Sequence, residues 1–344
     1  MPEAHVVSNA VVALLVLFAA LVLRRAGRSR LWREAGASVV RRRPVSLAVV
    51  LLFVAVALLD AVSWTGGGGD AGEGDVVSVH QPRSVVDRAF PADWNEASYS
   101  APLARVEFYG GAPLRHPGRH LLGTDIIGRD VLHLTLKGAR VALLVGGLTT
   151  LIVIPLALLF GVSAGYRGGR WDDVVFFLIS TLAAMPGLLL LIALIAVLGR
   201  GPVQVCVALG VTGWVGLCRL VRGETLKLRE LDYVRAARAL GVSEPRILFR
   251  HVIPNLMHLV VITAVLLFSG LVLSEAVLSW LGIGIDGSWG QMIDQARDEL
   301  SRDPPITWNL LSASAALFAL ILAVNRVGDA VRDALDPRTA AELA

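Results

Sequence analysis

The feature that most constrains this chain is a series of apolar runs, each long enough to cross a bilayer. Seven occur, at about 6–23, 45–64, 141–165, 174–198, 201–218, 256–281 and 308–324. A helix rises about 1.5 Å per residue, so roughly 20 apolar residues match a hydrocarbon core of about 30 Å. Lipid offers the backbone no hydrogen-bond partner, so each run must bond within itself as a helix. With 55% hydrophobic and only 17% charged residues, the chain reads as an all-α polytopic membrane protein.

The charges sort by loop. Segment 24–44 carries Arg24, Arg25, Arg28, Arg30, Arg33, Arg41, Arg42 and Arg43 against one acid, Glu34. Short basic loops stay in the cytoplasm. Counting spans forward places 166–173, 219–255 and the tail after Asn325 on that same side. Loop 282–307 holds Asp286, Asp294, Asp298, Glu299 and Asp303, as an outside loop should. The expectation is a multi-pass membrane protein with its N-terminus outside and its C-terminus cytoplasmic. The net charge of +4 follows from this topology, and no nucleic-acid partner is expected, because the basic residues flank apolar spans. Cys206 and Cys218 fall in one run, too far apart along a helix to bridge, and no metal-ligand spacing is present.

Three regions follow: 1–64 with two spans and a basic loop, 65–120 as an external insert, and 121–338 as a five-span core. The insert begins with the glycine run 66–75, a flexible linker by composition. Gly67-Gly-Gly-Asp70 and Gly72-Glu-Gly-Asp75 match the G-x-G-D string of intramembrane aspartyl proteases, but that chemistry needs two aspartates facing each other inside helices. The remainder of the insert, to about Pro117, is expected to be irregular.

Segment 219–255 reads as two short helices. Glu224 to Leu240 is rich in helix formers, and Gly241 suits the left-handed position that ends a helix. Ser243 is an N-cap candidate, with Glu244 and Pro245 in the next first turn. The second helix, about 244–252, offers Ile247, Leu248 and Phe249 on a basic element, and Pro254 restarts the chain into the next span. Ala236 and Ala237 permit close approach by another surface. Pro186, between Met185 and Gly187, predicts a kink inside span 174–198. His258 and Glu275 lie near helix ends, where both can reach the interface. Met185, Pro186 and Glu275 are the candidates for a pathway or gate.

The spacing Ala236-Ala237, Gly241, Pro254 resembles the cytoplasmic "EAA" loop of ABC-importer permeases. Arg235 stands where that pattern has Glu, and Arg250-His-Val-Ile-Pro-Asn255 resembles its peptide/nickel branch. Leu122-Gly-Thr-Asp-Ile-Ile-Gly-Arg-Asp130, Gly165–Asp172, Leu278–Ile285 with Ser288–Met292, and Gly328–Arg338 resemble strings of the C-type subunits of dipeptide and oligopeptide permeases, in order along the chain. For Asp125, Arg129 and Asp130 within the first of these, local salt bridges are favoured over substrate binding.

The resemblance implies a type I ABC-importer core of five helices, here with two N-terminal transmembrane helices added. It implies half of a pore for peptides in a bacterial inner membrane, without catalysis or cofactor. It also implies a second homologous permease subunit, two ABC ATPase subunits, an external substrate-binding protein and surrounding membrane lipid as partners. Its ATPase-coupling loop would span 233–255, with Arg235, Ala236, Ala237, Gly241, Ser243, Ile247, Phe249, His251 and Pro254. The chain contains no G-x-x-x-x-G-K-[ST] string, so energy would come from separate subunits. The alternatives are a stand-alone secondary transporter or channel, and an importer of nickel chelates or glutathione-like peptides. A membrane enzyme lacks support, because no H-E-x-x-H string is present.

Overall fold

The computed structural model describes residues 30–64 and 83–335, with scattered positions between 10 and 27. The expected span at 6–23 falls largely outside the described residues, and so does the glycine run 66–75. The described helices are α1 (Arg30–Arg42), α2 (Pro44–Ala61), α3 (Val85–Ala89), α4 (Val131–Arg167), α5 (Gly169–Ala184), α6 (Gly187–Leu198), α7 (Pro202–Leu228), α8 (Asp232–Ala239), α9 (Glu244–Ile247), α10 (Ile253–Trp280), α11 (Trp289–Leu300) and α12 (Trp308–Leu335). A two-residue antiparallel pair, β1 (Ser63–Trp64) with β2 (Arg83–Ser84), closes the base of the insert.

Among the described residues five helices are long and apolar enough to cross a membrane, and a sixth crossing arises if the α5–α6 pair counts as one. That pair is bent by 94°, so the single span expected at 174–198 is two helices. Pro186 has no N–H to continue the ladder, and it pushes Met185 into extended backbone, at φ −82° and ψ 137°.

The chain forms two compact units. One contains Val45–Leu144 and Glu275–Ala323; the other contains Val145–Ser274. In the first unit, indole donors tie distant segments together. Trp289 Nε1 donates to the Thr135 carbonyl at 2.8 Å, and Trp308 Nε1 donates to the Thr124 carbonyl at 2.9 Å. Asp125 Oδ2 pairs with the Arg129 guanidinium at 2.8 Å, while its Oδ1 accepts from the Ile127 and Arg129 amides of the turn it closes. These residues are thus occupied locally.

The second unit is built on an apolar cluster from α4, α5, α7, α8, α9 and α10, with Val153, Ile179, Leu217, Val234, Ile247 and Leu256 all buried. α4 and α7 approach closely at Gly165, where a Cβ would lie 2.8 Å from the Arg222 carbonyl and the Thr225 Cβ. Asp172 of α5 takes two hydrogen bonds from the Arg222 guanidinium of α7, at 2.5 and 2.7 Å, a fork geometry that fixes direction as well as distance.

Candidate functional site

The 219–255 segment leaves α7 earlier than its helix propensity suggests. The Glu230 and Leu231 amides bond back to Lys227 and Leu228, which breaks the expected 224–240 helix. Arg229 reaches across to the Gly165 carbonyl at 3.0 Å. This turn lets α8 roll Val234 into the core, where it is fully covered.

α8 ends as its sequence dictates. Gly241 sits at φ +75°, where a side chain would strain the backbone although no atom would obstruct it. The Gly241 amide donates to Arg238 and the Val242 amide to Ala237, a Schellman-type closure. Ser243 has the extended backbone of an N-cap but makes no side-chain cap bond. Exposed Arg167 and Glu244 pair at 3.2 Å, and the Arg238 guanidinium lies 4.7 Å from the Tyr166 ring centroid. Asn255 Nδ2 donates to the Tyr233 hydroxyl at 3.0 Å. The His251 and Tyr233 rings lie 6.1 Å apart. The hairpin of helices is therefore held at several points.

The second helix does not stop at 252. α9 passes through one wide turn, Leu248–Val252, in which the Ile253 amide donates to the Leu248 carbonyl five residues back. The helix then continues unbroken to Trp280. Pro254 supplies no N–H and its ring would crowd an α-turn before it; the wide turn absorbs both effects. Pro254 is thus a point of passage, and the loop helix and the span are one body of 37 residues.

The candidate residues divide by exposure. Arg235, Ala236, Gly241, Ser243, Phe249 and Pro254 are exposed, and His251 is partly exposed. Ile247 is not on the surface: it is fully buried in the apolar cluster, because it shares the core-facing side of the helix with Val252 and Leu256. Ala237 is half-covered by that same cluster. Leu240, at the end of α8, is 83% exposed, and Phe249 is 74% exposed. Each sits among exposed arginines, Arg235 and Arg238 on α8 and Arg246 and Arg250 on the second helix. Leu240's position as the last residue before Gly241 was the available signal, since a C-cap residue is seldom covered by its own helix.

Met185 and Pro186 are exposed at the α5–α6 bend, in the second unit. Glu275 belongs to the first unit and does not reach solvent as expected. It is 3% exposed and accepts from Ser279 Oγ, which in turn accepts from the Ile285 amide at 3.0 Å. Its carboxyl closes the turn after α10. No cluster of three or more metal-ligating side chains exists among the described residues.

Residues 157–341 match the family described as "Binding-protein-dependent transport system inner membrane component". The chain belongs to this family. It is 35% identical over 222 residues to the oligopeptide transport system permease protein OppC of Bacillus subtilis, covering 64% of this chain and 72% of that one. It is 38% identical over 226 residues to the dipeptide transport system permease protein DppC of the same organism, covering 64% and 69%. A third relative is the glutathione transport system permease protein GsiD of Pectobacterium atrosepticum, 36% identical over 222 residues, covering 64% and 73%. A solved inward-facing conformation of the MetNI methionine ABC transporter overlays 58% of this chain and 96% of its own, at 20% identity and a TM-score of 0.47. This family member is a multi-pass membrane component of a transport system, as its apolar helices require, and its relatives are named as transport components.

Proposed function

We propose that this permease forms one half of a pore for di- or oligopeptides, in a type I ABC-importer arrangement. A second homologous permease completes the pore, two separate ATPase subunits drive it, and an external binding protein delivers the substrate. The observation that carries the coupling is the unbroken helix from Glu244 to Trp280. At about 1.5 Å per residue it is roughly 55 Å long. Displacement of its exposed Phe249 end is passed to a membrane span without an intervening hinge. Phe249 and Leu240 supply apolar contact, each gaining about 1.5–3 kcal/mol on full burial, and the surrounding arginines favour an acidic rim on the ATPase. The relatives' peptide names support the substrate class.

Orientation follows the arginine distribution: segment 24–44 and the 219–255 element lie in the cytoplasm and the insert lies outside. The test is reconstitution. Proteoliposomes holding this chain alone should neither hydrolyse ATP nor take up peptide. Adding the second permease, the ATPases and loaded binding protein should produce ATP-dependent uptake. Uptake by the chain alone would favour a secondary transporter or channel and overturn the proposal.

A further inference from the structure

Residues 96–130 converge on a buried imidazole. His120 and Glu96 each have side chains 2% exposed. His120 Nδ1 lies 2.8 Å from Asp130 Oδ2, while its Nε2 lies 3.6 Å from Glu96 Oε1 and makes no hydrogen bond. Glu96 is fixed by backbone amides: its Oε2 accepts from Arg115 at 2.9 Å, and its Oε1, the oxygen facing His120, accepts from His116 at 2.8 Å. Asp130 is fixed too, because its Oδ1 accepts from the Leu132 and His133 amides and caps α4. His116 also faces the carboxylate, its Nδ1 3.7 Å from Glu96 Oε1, and Arg119, next to His120 in the chain, stacks 3.4 Å from the Trp94 ring centroid.

The two protonation states differ sharply in this setting. A neutral imidazole that gives its Nδ1 proton to Asp130 must turn an Nε2 lone pair toward the Glu96 carboxylate. Two negative faces would then oppose each other at 3.6 Å, a costly arrangement for buried groups. The imidazolium puts a proton on both sides and places one positive charge between two anchored carboxylates. The backbone adds to the bridge, since the His120 carbonyl accepts from the Leu103 amide at 2.8 Å.

We propose that His120 is a proton-operated clasp: as imidazolium it binds Glu96 and Asp130 together, and its deprotonation releases the 96–120 segment from the cap of α4. The hydrogen bond to Asp130 raises the His120 pKa above its ordinary value; burial opposes this, and the charges of Asp130 and Glu96 add to it. A raised histidine pKa stabilises fully below the unfolded value of about 6.5, and that stability is lost as pH rises through the folded value. The clasp is therefore closed in acid and opens as pH rises through that raised value. Under the proposed orientation it faces the outside medium.

Hydrogen exchange of the full chain in nanodiscs reads this at the Arg115 and His116 amides, both donors to Glu96. After correction for intrinsic exchange, their protection should fall about fivefold or more between pH 6 and pH 9 in the wild type. His120→Gln keeps a donor for Asp130 but cannot titrate, so its profile should be flat. Glu96→Gln removes one carboxylate, so opening read at the Leu103 and Gly123 amides should move to lower pH. That variant covers the case in which His120→Gln does not fold. A flat wild-type profile, or equal pH dependence in His120→Gln, would overturn the proposal. So would a large gain in protection on adding zinc at pH 7.5, which would give the imidazole to a metal instead of a proton. A failed orientation would leave this profile unchanged, so the two proposals fail separately.

Discussion

The Val242 amide donates to the Ala237 carbonyl at 3.1 Å across Gly241, whose φ is +75°. This bond sets the angle at which α8 meets the long helix that starts at Glu244. The residue at 241 thereby controls where Leu240 and Phe249 stand relative to each other.

Gly241→Val should abolish transport while the protein still inserts in the membrane, because a β-branched residue is strongly disfavoured at positive φ. Gly241→Asn should retain most transport, since asparagine tolerates the left-handed region. Uptake assays on both variants at matched expression check this. Equal loss in both would place the requirement on side-chain size instead of backbone conformation.

Ile247 and Phe249 should behave oppositely although they lie two residues apart. Ile247→Ala removes a fully buried side chain and should cost about 2–5 kcal/mol of stability. Phe249→Ala should leave the chain's own stability within about 0.5 kcal/mol but weaken ATPase retention during purification. Thermal melting and co-purification yields separate the two effects. Ala237→Asp should act on folding as well as docking, because Ala237 partly packs on its own core.

Asp87 anchors the insert to α4. It accepts from Lys137 at 2.6 Å and lies 2.9 Å from His133 Nε2, and it completes a capping box with Ser84. Burial pushes its carboxyl up, but the hydrogen bonds from His133 and Lys137 outweigh this and hold it well below the usual carboxylate range. Its contribution is present above the unfolded value of about 3.9 and is lost only as pH falls through the lower folded value. The Ser84 and Asp87 amides should stay protected at pH 4 in the wild type. In Lys137→Met they should begin to open at higher pH. Hydrogen exchange across pH 3–6 measures the difference.

Topology can be read by cysteine accessibility. Ala97 and Ser243 are both exposed. A membrane-impermeant reagent should label Ala97→Cys from outside in intact cells and Ser243→Cys only after lysis. The reverse pattern would exchange the faces assigned to the binding protein and the ATPases.

Among the described residues the apolar spans were legible, apart from the break at Pro186, because a bilayer imposes its length on apolar runs, and the left-handed Gly241 was legible because few residues tolerate that conformation. Helix ends were less so. The run at 141–165 marks the apolar part of α4, but the helix extends from Val131 to Arg167, since hydrogen bonding does not stop where hydrophobicity does. The continuity through Pro254 was hidden because proline usually signals a break, and one wide turn removes the conflict. α11 had a readable signal: Ser288 caps it, and Trp289, Met292, Ile293, Ala296 and Leu300 recur at helical spacing. Glu275 was misplaced because depth along a helix does not reveal which neighbours cover it.

Site-specific photocrosslinking from position 249 in the assembled importer tests the central claim most directly. A crosslinker at Phe249 should capture the ATPase subunit, and the yield should change between nucleotide-free and ATP-bound states as the 244–280 helix moves. Absence of any ATPase adduct in a complex that still transports peptide would contradict the account, because the exposed end of that helix would then not be where the ATPase pushes.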